Sequence, residues 1–258
     1  MSSFLKILEE SFRAVFRFPK LFFPKLCIAG LYGILMLWTV GLFGSAQQLL
    51  QNPAGSALIL QNAFVLLALL LIVLVADTIT NAAYSFMVSE FLEKKRISML
   101  KAFRLALGKF FVVVPAVLST LAIFLVLALP LILAGSYFLL SGSQGLAILC
   151  FFGTVILELF VTIAFYSIYP VSAFERKGFM EVISSSAKIS RKNFGLVSKL
   201  SLFSLAVSGS SLAVAFFAQG IEGIAAFVLL RVLTAVLATY QIVLNPVFYL
   251  GFVRRDGK

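Results

Sequence analysis

Asp77, Glu158 and Arg231 are ionisable residues set inside otherwise apolar stretches of the chain. Each belongs to a polar stripe. Asp77, Asn81 and Ser85 form one; Thr154, Glu158, Thr162 and Tyr166 a second; Arg231, Thr234, Gln241 and Asn245 a third. Spacings of 3, 4 or 7 put each set on one helix face. Groups of this kind could anchor a substrate, gate a pathway, couple to protons or form a buried ion pair. Histidine triads and imidazole metal sites are excluded, because the chain has no histidine. Cys27 and Cys150 lie in apolar runs and read as small buried hydrophobes. No Cys-x-x-Cys pair, P-loop or acidic metal cluster accompanies them, so no catalytic site, metal or cofactor is expected.

Helices in a bilayer must position these stripes. Of 258 residues 62% are apolar and 12% charged, and the mean hydropathy is +1.10. A soluble domain carries about a quarter charged residues. The chain reads as an all-α integral membrane protein and a single membrane domain, 1–258. About 20 apolar residues cross the roughly 30 Å hydrocarbon core, and six stretches qualify: Leu21 to Ala46, Leu58 to Val88, Phe110 to Leu140, Leu146 to Ala173, Leu196 to Ala218 and Ile224 to Val253. Pro115 and Pro130 can kink the third without ending it. Glu9, Glu10, Arg13 and Arg17 interrupt the first residues, which do not read as a cleaved signal.

The net charge of +11 could suggest nucleic acid, but its distribution points to topology. Lys6, Arg13, Arg17, Lys20 and Lys25 lie before and at the first span; Lys94, Lys95, Arg96, Lys101, Arg104 and Lys109 lie between the second and third. Arg176, Lys177, Lys188, Arg191, Lys192 and Lys199 lie between the fourth and fifth, and Arg254, Arg255 and Lys258 form the tail. Only Arg231 falls elsewhere, and the opposite loops, Gln47 to Ala57, Ser141 to Gly145 and Gln219 to Gly223, have no Lys or Arg. The positive-inside rule assigns both termini to the cytoplasmic side of a cell membrane.

The basic segments are themselves patterned. Leu5, Leu8, Phe12, Val15 and Phe16 recur at helical spacing opposite Lys6, Glu9, Arg13 and Arg17. Ile97 to Lys109 and Gly178 to Asn193 repeat the amphipathic plan. Each precedes an odd-numbered span, and each even-numbered span ends in a related pair: Asn81-Ala82, Tyr169-Pro170 and Asn245-Pro246. Six transmembrane helices therefore form three parallel repeats of amphipathic helix plus two spans, approximately 1–92, 93–176 and 177–258. Arg13, Arg17, Lys94, Lys95, Arg96, Lys101, Arg104, Lys188, Arg191 and Lys192 are candidates for lipid headgroups.

The runs Phe12-Arg13-Ala14-Val15-Phe16-Arg17-Phe18-Pro19 and Phe174 to Ser186 resemble a group of prokaryotic membrane proteins similar to the membrane domain attached to some glycerophosphodiester phosphodiesterases. The resemblance implies six helices and no catalytic assignment, since the soluble phosphodiesterase barrel is absent.

A polar interior shared by the second, fourth and sixth spans is expected, with Glu158 and Arg231 at similar depth and able to pair. The pair could fix helix register or serve as gate or anchor. Asp77 is expected to be protonated or bonded to Thr80 and Asn81. Serines 198, 201, 204, 208 and 211, and Gly30, Gly33, Gly41 and Gly44, read as close-packing faces, the serines alternatively as a hydrophilic path. Two roles remain open. One is non-catalytic scaffolding, sensing or organisation of lipids or a protein partner at the inner face; the other is a transporter or permease subunit with a polar pathway among spans 2, 4 and 6. A wet cavity or a dry contact between the stripes distinguishes them.

Overall fold

The computed structural model describes residues 3–44, 53–217 and 224–254, with side chains for 3–39, 61–210 and 227–254. Among them every regular element is helical. The order is α1 (Ser3–Arg17), a 3-10 turn (Pro19–Leu21), α2 (Phe22–Gly44), α3 (Pro53–Leu92), α4 (Met99–Leu107) and α5 (Phe110–Leu140). α6 (Gln144–Ala164), α7 (Ile168–Phe174), α8 (Phe179–Lys192), α9 (Phe194–Phe217) and α10 (Ile224–Phe248) follow, the last running into a π-helical turn at Tyr249–Val253. Five segments are long and apolar enough to cross a membrane: Pro19–Thr39, Gln61–Leu92, Phe110–Leu140, Gln144–Phe174 and Phe227–Val253. The apolar helix Phe194–Ser210 is shorter. The helix itself runs on to Phe217; Ala218, the loops at 45–52 and 218–223, the surroundings of Gly41, Gly44 and Ser211, and the tail residues Arg255 and Lys258 lie outside what is described.

α2 packs on α3 and α10, α3 on α5, α5 on α6, α6 on α9 and α9 on α10, closing a ring in which α10 also reaches α3. Pro115 and Pro130 stay inside α5, as helix packing in a bilayer allows. α3, with 40 residues, spans about 60 Å at 1.5 Å per residue. It is too long for the hydrocarbon core alone, so its last turns stand beside α4.

A core of Ile7, Val15, Tyr84, Met87, Val113, Leu200, Leu244 and Phe248, all fully or almost fully buried, gathers at the end of the bundle that carries α1, α4 and α8. α1 is not simply half in lipid. Ile7, Ser11, Ala14 and Val15 are buried against the bundle, where α1 packs on α10 and α9, while Phe12 and Phe16 are 54% and 61% exposed and stack on each other at 4.1 Å. The apolar stripe read as one face divides between protein and surroundings. α4 divides similarly: Ala102 and Ala106 are buried, whereas Leu100 is 84% exposed. Neither cysteine is buried: Cys27 is exposed and Cys150 half-exposed, the latter at the contact of α6 with Gly135 of α5.

Tight turns close two helices. α5 ends with Ser143 N–H donating to the Phe138 carbonyl at 2.8 Å, around Gly142 at φ +79°, the left-handed position that glycine fills without cost. α3 ends in the same way, Lys95 N–H to the Glu90 carbonyl at 2.8 Å, but there the left-handed residue is Lys94, φ +56°. A side chain in that conformation costs about 1–2 kcal/mol.

Candidate functional site

Lys25 lies in the first turns of α2 and is 8% exposed. Its Nζ is 2.6 Å from Asp77 Oδ1 on α3. The census that counted Lys25 with the flanking cations is corrected: the residue points into the bundle. Asp77 is neither isolated nor bound to Thr80, whose hydroxyl donates to the Ala76 carbonyl instead. It takes the Lys25 ammonium on one oxygen and, at 3.4 Å, the Asn81 amide on the other. Asn81 Nδ2 also donates to Tyr169 OH at 3.2 Å, tying α3 to α7.

Pro170 explains the next contact. A helical carbonyl at Tyr166 would accept from the N–H four residues on, which proline lacks. The chain turns at Phe165–Ser167 between α6 and α7, and the freed Tyr166 carbonyl accepts a hydrogen bond from Asn245 Nδ2 of α10. Asn81, Tyr169 and Asn245, the related positions of the three repeats read from the sequence, thus meet around one space.

That space is a cavity of about 370 Å³ lined by Lys25, Asn81, Thr120, Thr162, Tyr166, Tyr169, Gln241 and Asn245 with apolar neighbours from α5, α6, α7 and α10. Thr162, at its edge, is exposed. Asn81 Oδ1, Asn245 Oδ1 and the Tyr166 hydroxyl are buried and have no hydrogen-bond partner. Each Asn directs its amide N–H₂ to an oxygen, so the amide oxygen is the free acceptor. The residues that carry these groups line one cavity together with Lys25. Burying such groups unpaired costs about 1–3 kcal/mol each, so the cavity suits water or a small solute offering both donors and acceptors. With Asp77 balancing Lys25, the charge is neutral overall. Gln241 donates to the Ser204 carbonyl and, at 2.7 Å, to Ser208 Oγ, joining α10 to the serine face of α9.

The other stripe members separate. Glu158 is exposed on α6 and forms no ion pair among the described residues. Arg231 instead donates from Nη2 to Met36 Sδ at 2.9 Å and lies 4.9 Å from the Phe227 ring centroid. The expected pairing of the two is not seen: in the ring α9 stands between α6 and α10. α10 approaches α2 closely there: a Cβ on Gly33 would lie 3.1 Å from Phe227 Cζ and 3.3 Å from Arg231 Nε, in keeping with a close-packing glycine, whereas Gly30 has open space.

Lys25 and Thr120 are the site residues missed in the sequence. The usable signal was an ammonium within an apolar run, a few residues past the start of a helix, in a chain with an unpartnered Asp77. Among the described residues no group of His, Cys, Asp or Glu could hold a metal. No protein-family model, curated protein or solved structure matches this chain.

Proposed function

We propose that the chain is a six-span, multi-pass protein of a cell membrane, with α9 as the sixth span and both termini cytoplasmic, which binds a small neutral or zwitterionic polar molecule in the cavity between Lys25 and Asn245. In this proposal it acts as a transporter or permease subunit without catalytic chemistry. The observation that carries it is the convergence of Lys25, Asn81, Tyr166, Tyr169, Gln241 and Asn245 on the lining of one cavity, with Asn81 Oδ1, Asn245 Oδ1 and the Tyr166 hydroxyl left without hydrogen-bond partners. A purely structural polar contact would leave these groups with protein partners.

The six spans are proposed as three parallel repeats, 1–92, 93–176 and 177–258. Supporting this, amphipathic α1, α4 and α8 precede α2, α5 and α9 in turn, and Asn81, Tyr169 and Asn245 share the cavity. The relation to the membrane domain of glycerophosphodiester phosphodiesterases belongs to the same proposal. The basic excess serves topology and lipid contact rather than nucleic acid.

Organisation of lipids or of a protein partner at the inner face is the alternative role, drawing on the exposed cations Arg13, Arg17, Lys94, Lys95, Arg96, Lys101, Arg104, Lys188, Arg191 and Lys192. To decide, protein purified in mild detergent is denatured and the released polar compounds are identified by mass spectrometry. A compound retained by the wild type and lost from Thr120→Trp, which fills the cavity, supports the binding role. The same compounds in both, or none in either, would leave the scaffold.

A further inference from the structure

We infer that a second cavity, at the basic end where α1 meets α3, is a site for the phosphate of an anionic phospholipid headgroup. Its volume is about 280 Å³ and its lining is Arg17, Phe18, Phe91, Lys94 and Lys95. It is separate from the intramembrane cavity and rests on the lipid contact proposed above for the basic segments.

The lining has the chemistry of a lipid interface. Phe18 and Phe91 meet edge to face, centroids 5.6 Å apart, and give an apolar floor for glycerol and upper acyl carbons. Three cations surround it. Lys95 is engaged by Glu93 at 2.5 Å; that contact, with Arg254 adding to it, holds the Glu93 carboxyl below the usual carboxylate range. Arg17 and Lys94 form no ion pair among the described residues. After Glu93 cancels one cation, the net charge facing the cavity suits a phosphate diester, which takes charge-assisted hydrogen bonds from Arg and Lys.

Helix ends alone do not account for this set. The carbonyl termini of α1 and α3 favour a cation each, but Lys94 holds the left-handed position where α5 uses Gly142. The chain keeps a strained lysine whose side chain lines the cavity, where glycine would be easier; strain retained in this way points to a use for the ammonium. The other basic cavity, lined by Glu175, Lys177, Lys188, Tyr249 and Arg254 among others, also keeps two cations in excess, but it has a carboxylate in its own lining and no lysine held in the left-handed conformation. Lys177 pairs with Glu175 at 2.5 Å, Tyr249 donates to Glu175 at 2.8 Å, and Arg254 lies over Phe174.

The source of the phosphate is tested with the full chain in a neutral detergent. Dioctanoyl phosphatidylglycerol, dioctanoyl phosphatidylcholine and inorganic phosphate are titrated separately while thermal unfolding is followed, since a ligand of the folded state raises its apparent stability. Phosphatidylglycerol is expected to act saturably at about tenfold lower concentration than either of the others, and Lys94→Gly or Arg17→Gln to raise the required concentration about tenfold, one charge-assisted contact's worth. Lys94→Gly should meanwhile leave ligand-free stability equal or higher, a sign that a merely structural lysine would not show. Arg191→Gln, the same charge change on α8, should leave the affinity within about twofold. Equal responses to the two lipids, or losses at Lys94 and Arg17 no larger than at Arg191, would overturn the site. Inorganic phosphate acting as well as phosphatidylglycerol would overturn its assignment to lipid.

Discussion

Lys25 Nζ sits 2.6 Å from Asp77 Oδ1, with the lysine side chain 9% and the aspartate 21% exposed, and this pair joins α2 to α3 beside the cavity. It brings one unit of each charge into the interior at no net charge. Removing either partner strands the other.

Lys25→Met and Asp77→Asn are each expected to cost about 3–5 kcal/mol, and the double variant much less than their sum. Thermal unfolding in detergent of the two single variants and the double supplies the cycle. Additive losses would mean that the two charges do not interact in the folded protein.

The opposite outcome is expected for Glu158 and Arg231. With no contact between them and Glu158 exposed, the effects of Glu158→Gln and Arg231→Gln should add within about 0.5 kcal/mol. A coupling above about 1 kcal/mol would show that they meet, within one chain or between copies.

Asn245→Ala removes the donor to the Tyr166 carbonyl and should cost about 1–3 kcal/mol. Pro170→Ala restores the N–H four residues after Tyr166, so in that background the Asn245→Ala loss should shrink by at least half. Unequal chemical denaturation midpoints of the four proteins provide the comparison; an undiminished loss would separate Asn245 from the proline break.

On α1, the two apolar faces should respond differently. Phe12→Asp with Phe16→Asp acts on exposed rings and should lift the segment from lipid, read as a depth change of a spin label at Arg13, with little loss of fold stability. Ala14→Asp puts a charge at a fully buried position and should undock α1 with a loss of more than about 3 kcal/mol. Equal stability losses at both faces would contradict the division.

Element order and the polar positions were legible because they depend on local pattern. Apolar runs marked five of the spanning segments, and periodicity marked α1, α4 and α8. Asn81, Thr162, Gln241 and Asn245 all line the cavity. Azimuth was not legible: helical spacing tells which residues share a face, not which neighbour that face meets. Glu158 and Arg231, expected to pair, stand on helices separated by α9, while Lys25, placed by its position in the chain among the flanking cations, points into the bundle. The turn at Phe165–Ser167 was hidden in an unbroken apolar run, although Pro170 carried the reason for it.

A binding cavity must be open to water, whereas a structural polar contact is dry. In a background with Cys27 and Cys150 replaced by serine, cysteines introduced at Ala238 and Thr120, which line the cavity, are compared with cysteines at Val126 and Leu133, which are 71% and 60% exposed on the apolar surface. The reagent is 2-aminoethyl methanethiosulfonate, applied to membranes containing the folded protein, because it needs an aqueous path to a thiolate. Rapid modification at Ala238 and Thr120 with none at Val126 and Leu133 is the predicted result; protection of Ala238 and Thr120 to the same degree as Val126 and Leu133 would mean that the polar groups close on each other dry, and would contradict a binding cavity.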